Sequence, residues 1–422
     1  MIQEQDNWWR DTLAAIARHD LPAARRAASR GIAGNDDSRS WLALAAIHRA
    51  MGDLRTAQNA LQRAYDCHSL FIIPAVKADA PKVVVLAPVH LDSLTLLPSG
   101  MFWSGGSVDW SLFLDGEFEQ IIAPPEMLDR QPEKLGELQE QGDVVVNLIT
   151  DPDAASGDLA RAQRLIDRIA LPVVNHPEQV LLCGRAGNAK RFADVPGLVF
   201  PETFEIELPP TRRGAITTIS EAAERLKYPF ILRRSGWHDG RFMHRIDTPD
   251  AIEAVQLAPG GGLYHVIRYH DVAGRDGLYR KTRMFFIGGE WYPRHVFSGR
   301  SWNVHFGSYQ QLLETELGPK LVREELDFLD VWREGLGTDG LEVLRRVASI
   351  VALDWFGMDF TLLPSGELFV FEINPAMRVT GSQRHTGLRG ERVQLMARFR
   401  NGIVDATRAM LQELANSKKG KA

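Results

Sequence analysis

Through roughly the first 75 residues, apolar and alanine positions recur at helical spacing with few glycine or proline interruptions, which predicts helices. The period then changes. Lys82–Val89 (KVVVLAPV) and Asp143–Ile149 (DVVVNLI) are unbroken apolar runs of strand length, and Leu171–Asn175 (LPVVN) is a shorter one. Between the last two, Gly157–Ile169 sets Leu159, Ala162, Leu165 and Ile169 at helical intervals. Strands alternating with a helix predict a small parallel α/β layer. From about Leu198 the character shifts again. A helix Ile216–Leu226 stops before Tyr228-Pro229, and strands are expected at Phe230–Arg234, Arg241–Arg245, Leu263–Tyr269 and Thr282–Ile287. Acidic helices near 309–333, an amphipathic helix Leu341–Leu353, a hairpin over 356–374 and a long helix over about 390–415 complete the chain. The fold class expected is α/β, in the segregated α+β sense.

The hairpin, FGMDFTLLPSGELFVFEINP (Phe356–Pro375), carries the most chemistry. A two-residue turn at Ser365-Gly366 sets Asp359 directly opposite Glu372. Alternation then sorts Met358, Phe360, Leu362, Phe369, Phe371 and Ile373 onto an apolar face. Asp359, Thr361, Leu363, Leu368, Val370, Glu372 and Asn374 fall on the other. A slip of one residue would mix the faces, so the register is well specified. Like charges directly opposite on paired strands repel, and a cation relieves the repulsion. Three hard oxygen donors suit Mg²⁺, which water and nucleotide phosphates complete. Taken alone, the same pattern also describes a hairpin with one solvated face.

Composition narrows the classes. At 422 residues about three domains are expected. With 45% hydrophobic and 24% charged residues the chain is an ordinary globular one, not collagen-like, disordered or a disulfide scaffold. No apolar run reaches the ~18 residues of a membrane helix, and the polar N-terminus lacks a signal pattern. Cys67 and Cys183 have no metal-site spacing, so a reducing cytoplasm is expected. A net charge of −5 argues against a nucleic-acid partner. No glycine fingerprint follows the first strand, which leaves a dinucleotide site unsupported.

The helical region contains a repeat. Trp8 matches Trp41, Asp20-Leu21 matches Asp53-Leu54, and Ala24 matches Ala57. Trp41, Leu44, Ala45, Gly52, Ala57, Leu61 and Ala64 fall where the tetratricopeptide pattern places such residues, so residues 5–70 resemble two tetratricopeptide-like units. Two readings stand: a docking surface for a protein or peptide partner, or a helical cap on the next domain.

A second resemblance covers roughly 80–410. Asp359 followed by Glu372-x-Asn374-Pro375 resembles the metal-binding signature of the ATP-grasp superfamily, which includes D-alanine–D-alanine ligase, glutathione synthetase and the ribosomal-protein glutamate ligases. Tyr228–Arg233 with the SGWHDG turn resembles that family's first nucleotide strand and phosphate loop, and Thr282–Tyr292 its next strand pair. Two departures are visible. Arg233 stands where the family usually has lysine, and Val266–Tyr269 offers no carboxylate for the adenine amine. Beyond the tetratricopeptide-like helical region over 1–75, the resemblance implies a pre-ATP-grasp α/β domain over 80–200 and the two parts of the grasp over 201–270 and 271–422.

It also implies roles. Asp359, Glu372 and Asn374 would hold Mg²⁺, two ions in the usual case. Arg185, Arg233, Gly236, Gly240 and Arg268 would bind ATP, with Lys190 a second choice beside Arg185. Arg283 and Arg378 would stabilise reacting charge, and Arg294, His295 and Arg300 would contact substrate. The implied reaction joins a carboxylate to an amine through an acyl phosphate, releasing ADP and phosphate, on small-molecule or peptide substrates, with a homodimer as one expected assembly. The competing reading is a catalytically inactive nucleotide-binding protein that acts through its helical repeats. A small-molecule kinase on the same fold is a third.

Overall fold

The computed structural model describes residues 7–32, 38–67, 70–92, 94–100, 102–104, 110–237, 241–379 and 391–419. The expected nucleotide-loop residues His238 and Gly240 lie outside them. The chain is mixed α and β, opening with helices, and divides into two compact units. One comprises residues 1–150, 157–178 and 404–422, the other 151–156 and 179–403.

The first unit opens with helices Asn7–Ala17, Leu21–Ile32, Ser38–Ala50 and Leu54–Asp66, each packed on the next. His19 and Gly52 take positive φ at the turns within the two pairs, and Asp53 caps the fourth helix through the Thr56 N–H. Ala24, Ala28, Ala43, Ala45 and Ala57 are fully buried, so the helices approach closely through small residues. Trp8 and Trp41 are only half-buried, although Trp8 packs so tightly on Gly31 that a Cβ there would lie 2.7 Å from its ring.

The same unit contains β1 Phe71–Ile73, β2 Lys82–Leu86, β3 Leu94–Leu96, β4 Phe102–Ser104, β5 Glu119–Ile122, β6 Val144–Asn147 and β7 Val173–Val174. The main sheet has the order β1-β5-β2-β6-β7, parallel except for β1, while β3 and β4 form a separate hairpin. Continuous apolar runs such as Val83–Val85 belong to a sheet covered on both faces. The helices are tied to this layer: Tyr65 Oη donates to the Val89 carbonyl at 2.8 Å, Gln131 Nε2 donates to the Tyr65 carbonyl at 2.6 Å, and Trp9 meets Phe71 edge-on. Deleting residues 1–66 is therefore expected to uncover apolar surface and lower the soluble fraction. Light scattering checks this, and a monodisperse truncation with unchanged yield would show that the helices are an independent appendage.

The second unit holds two sheets. β9 Thr203–Leu208, β10 Phe230–Arg234, β11 Met243–Ile246 and β12 Gly262–Arg268 form the first, in the order β11-β10-β12-β9. Helix Arg212–Leu226 packs Ile219, Ala222 and Ala223 against Phe230, Leu232, Tyr264 and Val266. Period-2 alternation leaves Ile231, Arg233, His265 and Ile267 on the opposite face. β8 Leu198–Val199, β13 Tyr279–Ile287, β14 Glu290–Gly299, β15 Trp355–Leu362 and β16 Leu368–Asn374 form the second, in the order β14-β13-β15-β16-β8. Helices Phe306–Leu313, Gly318–Asp330 and Trp332–Val351 follow β14. No described helix is long and apolar enough to cross a membrane.

The hairpin differs from its expected form in two compensating ways. Its turn has three residues, Pro364–Gly366, closed by the Leu363 N–H donating to the Glu367 carbonyl at 2.9 Å, with Gly366 at φ +89°. That shifts the pairing next to the turn by one residue. A bulge at Phe371 shifts it back, since Phe360 faces Val370 but Asp359 faces Glu372. Asp359 and Glu372 are thus opposite, as expected though by another route, while the assignment of Phe369 and Phe371 to the apolar face is corrected. Both line a cavity together with Asp359 and Glu372, and Val370 is buried with the Phe360 set.

Candidate active site

The site grows from a row of charges across three adjacent strands. Arg283 of β13 faces Asp359 of β15, which faces Glu372 of β16. Asp359 is 2% exposed in the middle of the sheet, and a lone carboxylate there would be costly. Arg283 meets it as a fork, Nε to Oδ1 at 2.7 Å and an η nitrogen to Oδ2 at 2.8 Å, and Lys281 Nζ stands 3.5 Å from Oδ2. Burial pushes the Asp359 carboxyl up, but Arg283 and Lys281 outweigh it and hold the group below the usual carboxylate range. Arg185, first residue of helix Arg185–Arg191, donates to Glu372 Oε1 at 3.0 Å and to the Phe371 carbonyl at 3.1 Å. Asn374 Nδ2 donates to the same Glu372 oxygen at 3.1 Å. The repulsion expected between the two carboxylates is thus relieved by guanidinium groups of the chain itself.

This row forms one wall of a cavity of about 640 Å³, within the usual range for a small-molecule site. Among the described lining residues, Arg185, Arg233, Arg268, Lys281 and Arg283 face only two carboxylates, Asp359 and Glu372. Arg233 projects from β10, and its guanidinium donates to the Trp237 carbonyl at 3.1 Å. Burial, with repulsion from Arg185, brings the Arg233 pKa down to about 10, which leaves the group charged at neutral pH. Ile231, Met243, Ile267, Phe369 and Phe371 supply an apolar wall. The chemistry on offer is a polyanion beside an apolar, flat moiety.

Other expected residues sit differently. Gly236 takes φ +72° in the turn after β10, a conformation a side chain would strain. Arg268 lines the cavity and pairs at 2.6 Å with Glu202, which precedes β9 and is not among the residues lining the cavity. The Arg378 carbonyl accepts from Arg283 at 3.2 Å, but its side chain is exposed. Arg294 and His295 are buried in β14 beside a bulge that Pro293 accompanies, and the Arg294 Nε donates to the Val379 carbonyl at 2.7 Å. Arg300 is exposed past the end of β14. Arg294, His295, Arg300 and Arg378 are not among the residues lining the cavity, and neither is Lys190.

Sequence reasoning missed Lys281, Phe369 and Phe371. Lys281 sits two residues before Arg283 on the same strand, and alternation would have placed both on one face. Nothing in the Phe369-Val370-Phe371 run marks the bulge.

No family model matches the sequence, and no curated protein matches it. Solved structures with a similar chain path include the VanG D-Ala:D-Ser ligase from Enterococcus faecalis, at 12% identity and a TM-score of 0.44 over 80% of this chain and 100% of that one. The D-alanine–D-alanine ligase from Bacillus anthracis complexed with ATP is similar at 11% identity and a TM-score of 0.42, over 81% of this chain and 99% of that one. A carboxyaminoimidazole ribonucleotide synthase from Aspergillus clavatus complexed with ATP is similar at 14% identity and 0.39, over 73% and 72%.

Proposed function

We propose that this chain is an ATP-grasp enzyme that joins a carboxylate to an amine at the expense of ATP, releasing ADP and phosphate. The observation that supports it is the Arg283–Asp359–Glu372 row facing Arg233 in one largely cationic cavity. The donor set fits a hard divalent ion: Glu372 and Asp359 present carboxylates opposite each other on neighbouring strands, and Asn374, whose Oδ1 now accepts from the Ala376 N–H, would add an oxygen two residues along. When bound there, Mg²⁺ would neutralise charge on the transferring phosphoryl group.

In this reading the chain's own residues act as follows. Arg233 and Arg185 hold the phosphates, with the turn at Gly236 bringing backbone N–H groups close. Phe369, Phe371, Ile231 and Ile267 enclose the base. Arg283 is placed to bind the γ-phosphoryl oxygens and later the oxyanion formed when an amine attacks the activated carboxylate. The helical repeats would serve a protein or peptide substrate, and the cytoplasm is the compartment we assign.

One observation favours the second reading, a nucleotide-binding protein without catalysis: the grip of Arg283 on both oxygens of Asp359. A screen of carboxylate and amine pairs that follows ADP formation, with mass spectrometry of products, separates the two. ADP with a new amide supports the ligase. AMP, or nucleotide binding with no turnover on any pair, overturns it.

The Arg233 role gives a graded expectation. Arg233→Lys keeps charge but loses the fork, so ATP binding should weaken by about 1–2 kcal/mol while turnover persists. Arg233→Ala should bind more weakly still. Calorimetric titration with ATP checks both, and wild-type affinity in the alanine variant would move the phosphates elsewhere.

A further inference from the structure

Beside the carboxylate row, where Asp153 and His265 share a small pocket with Glu372, the first sheet of the second unit contributes to another group of donors. His265 of β12 lies directly opposite Glu205 of β9. Its ring is 1% exposed. Asp153, in the segment 151–156, approaches the His265 Nε2 with Oδ2 at 3.1 Å. An ionised carboxylate only accepts, so Nε2 must carry the proton of that bond, and in the neutral ring Nδ1 then holds the lone pair. Nδ1 is buried and has no hydrogen-bond partner. The nearest carboxylate oxygen in front of it is Glu205 Oε1 at 3.8 Å, beyond hydrogen-bonding range. Two acceptors therefore face each other across a gap, and one atom from each of Asp153, Glu205 and His265 falls within 4.8 Å of the others.

We propose that His265 Nδ1 and Glu205 bind a divalent cation of the zinc class, with Asp153 orienting the imidazole from behind. Bonds of about 2.0–2.2 Å to nitrogen and oxygen would together span slightly more than the observed gap, so the ion sits bent between the two donors without moving either strand. The carboxylate–histidine–metal order is the usual way a second carboxylate fixes the tautomer of a ligating ring. Imidazole beside carboxylate selects zinc, cobalt or nickel over magnesium, which prefers oxygen alone. Arg233, directly across from His265 on the other neighbouring strand, opposes any ion held by charge alone, which strengthens that selection. Glu205 is 42% exposed, so water completes the shell and the ion enters from solvent. None of these three residues belongs to the Arg283–Asp359–Glu372 row, and the site does not depend on the ligase reading.

The test is calorimetric titration of the untagged full chain with Zn²⁺ alone, supported by visible absorption after Co²⁺ loading. Wild type and Glu372→Gln should each bind one ion at this site with equal affinity. Asp153→Asn should weaken binding by about 10–100-fold, as loss of an outer partner does. Glu205→Gln, at a solvent-facing position where folding is not at stake, should weaken it by at least ~10-fold and bleach the Co²⁺ bands. His265→Gln should abolish it. Unchanged affinity in Glu205→Gln, or loss of the ion in Glu372→Gln alone, would overturn the proposal.

Discussion

Glu372→Gln is expected to lower ATP-dependent turnover by at least ~100-fold while leaving the melting temperature nearly unchanged. The amide keeps the shape of the side chain and one oxygen that can still accept from Arg185 and Asn374, whose donors lie 3.0 and 3.1 Å from Oε1. It removes the negative charge that would hold a divalent ion against the phosphates, where such ions supply much of the stabilisation of developing charge. Glu372 is partly exposed in the cavity, so little folding free energy rests on its ionisation. A coupled assay for ADP, run beside a thermal melt, reads both quantities. Wild-type turnover in a folded Glu372→Gln protein would remove Glu372 from the metal site.

Arg283→Ala should damage both stability and activity. It leaves Asp359, 2% exposed, with only Lys281 at 3.5 Å. Breaking a buried ion pair from one side costs about 3 kcal/mol or more, because the stranded charge remains. The pH dependence carries the same signature. Asp359 titrates below its ordinary value in the folded chain, so its contribution is present above the unfolded carboxylate pKa of about 3.9 and is lost as pH falls through the depressed folded value. Melting temperatures of the wild type should therefore rise as pH climbs through the acid range to about 4, and in Arg283→Ala that rise should shrink, since burial then dominates and pushes the carboxyl up. Turnover should fall by about 100-fold or more, the usual effect of removing a donor aimed at developing charge. An Arg283→Ala protein with wild-type melting and turnover would contradict the assignment.

Much of this arrangement was legible before any coordinates, because it rests on periodicity. Alternation in β10 separates Phe230 and Leu232 from Ile231 and Arg233, and those are the buried and cavity-facing sets observed. The pairing of Asp359 with Glu372 was expected from a two-residue turn at Ser365-Gly366, and the structure reaches it instead through a three-residue turn and a bulge. What escaped depends on events of a single residue or on long-range partners. The bulge at Phe371 has no marker in a run of apolar residues that all suit a strand. The bulge at Arg294 buries a side chain that looked available for substrate, and the Val379 carbonyl that receives it lies 85 positions away. Arg283 as the partner of Asp359 requires knowing that β13 and β15 are neighbours, although three helices separate β14 from β15.

The compensation within the hairpin separates two kinds of recognition. With a loop of three residues and the bulge, the strand carries Phe369 and Phe371 around to the cavity while Asp359 and Glu372 stay matched. A two-residue turn at Ser365-Gly366, with Pro364 drawn into the strand opposite Glu367, would let the strands zip without the bulge. The acidic pair would keep its pairing, and both phenylalanines would swing to the far face of the sheet. The turn at the distant tip is thus a dial for the apolar wall of the cavity, one that evolution or an engineer can turn without disturbing the charges at the other end.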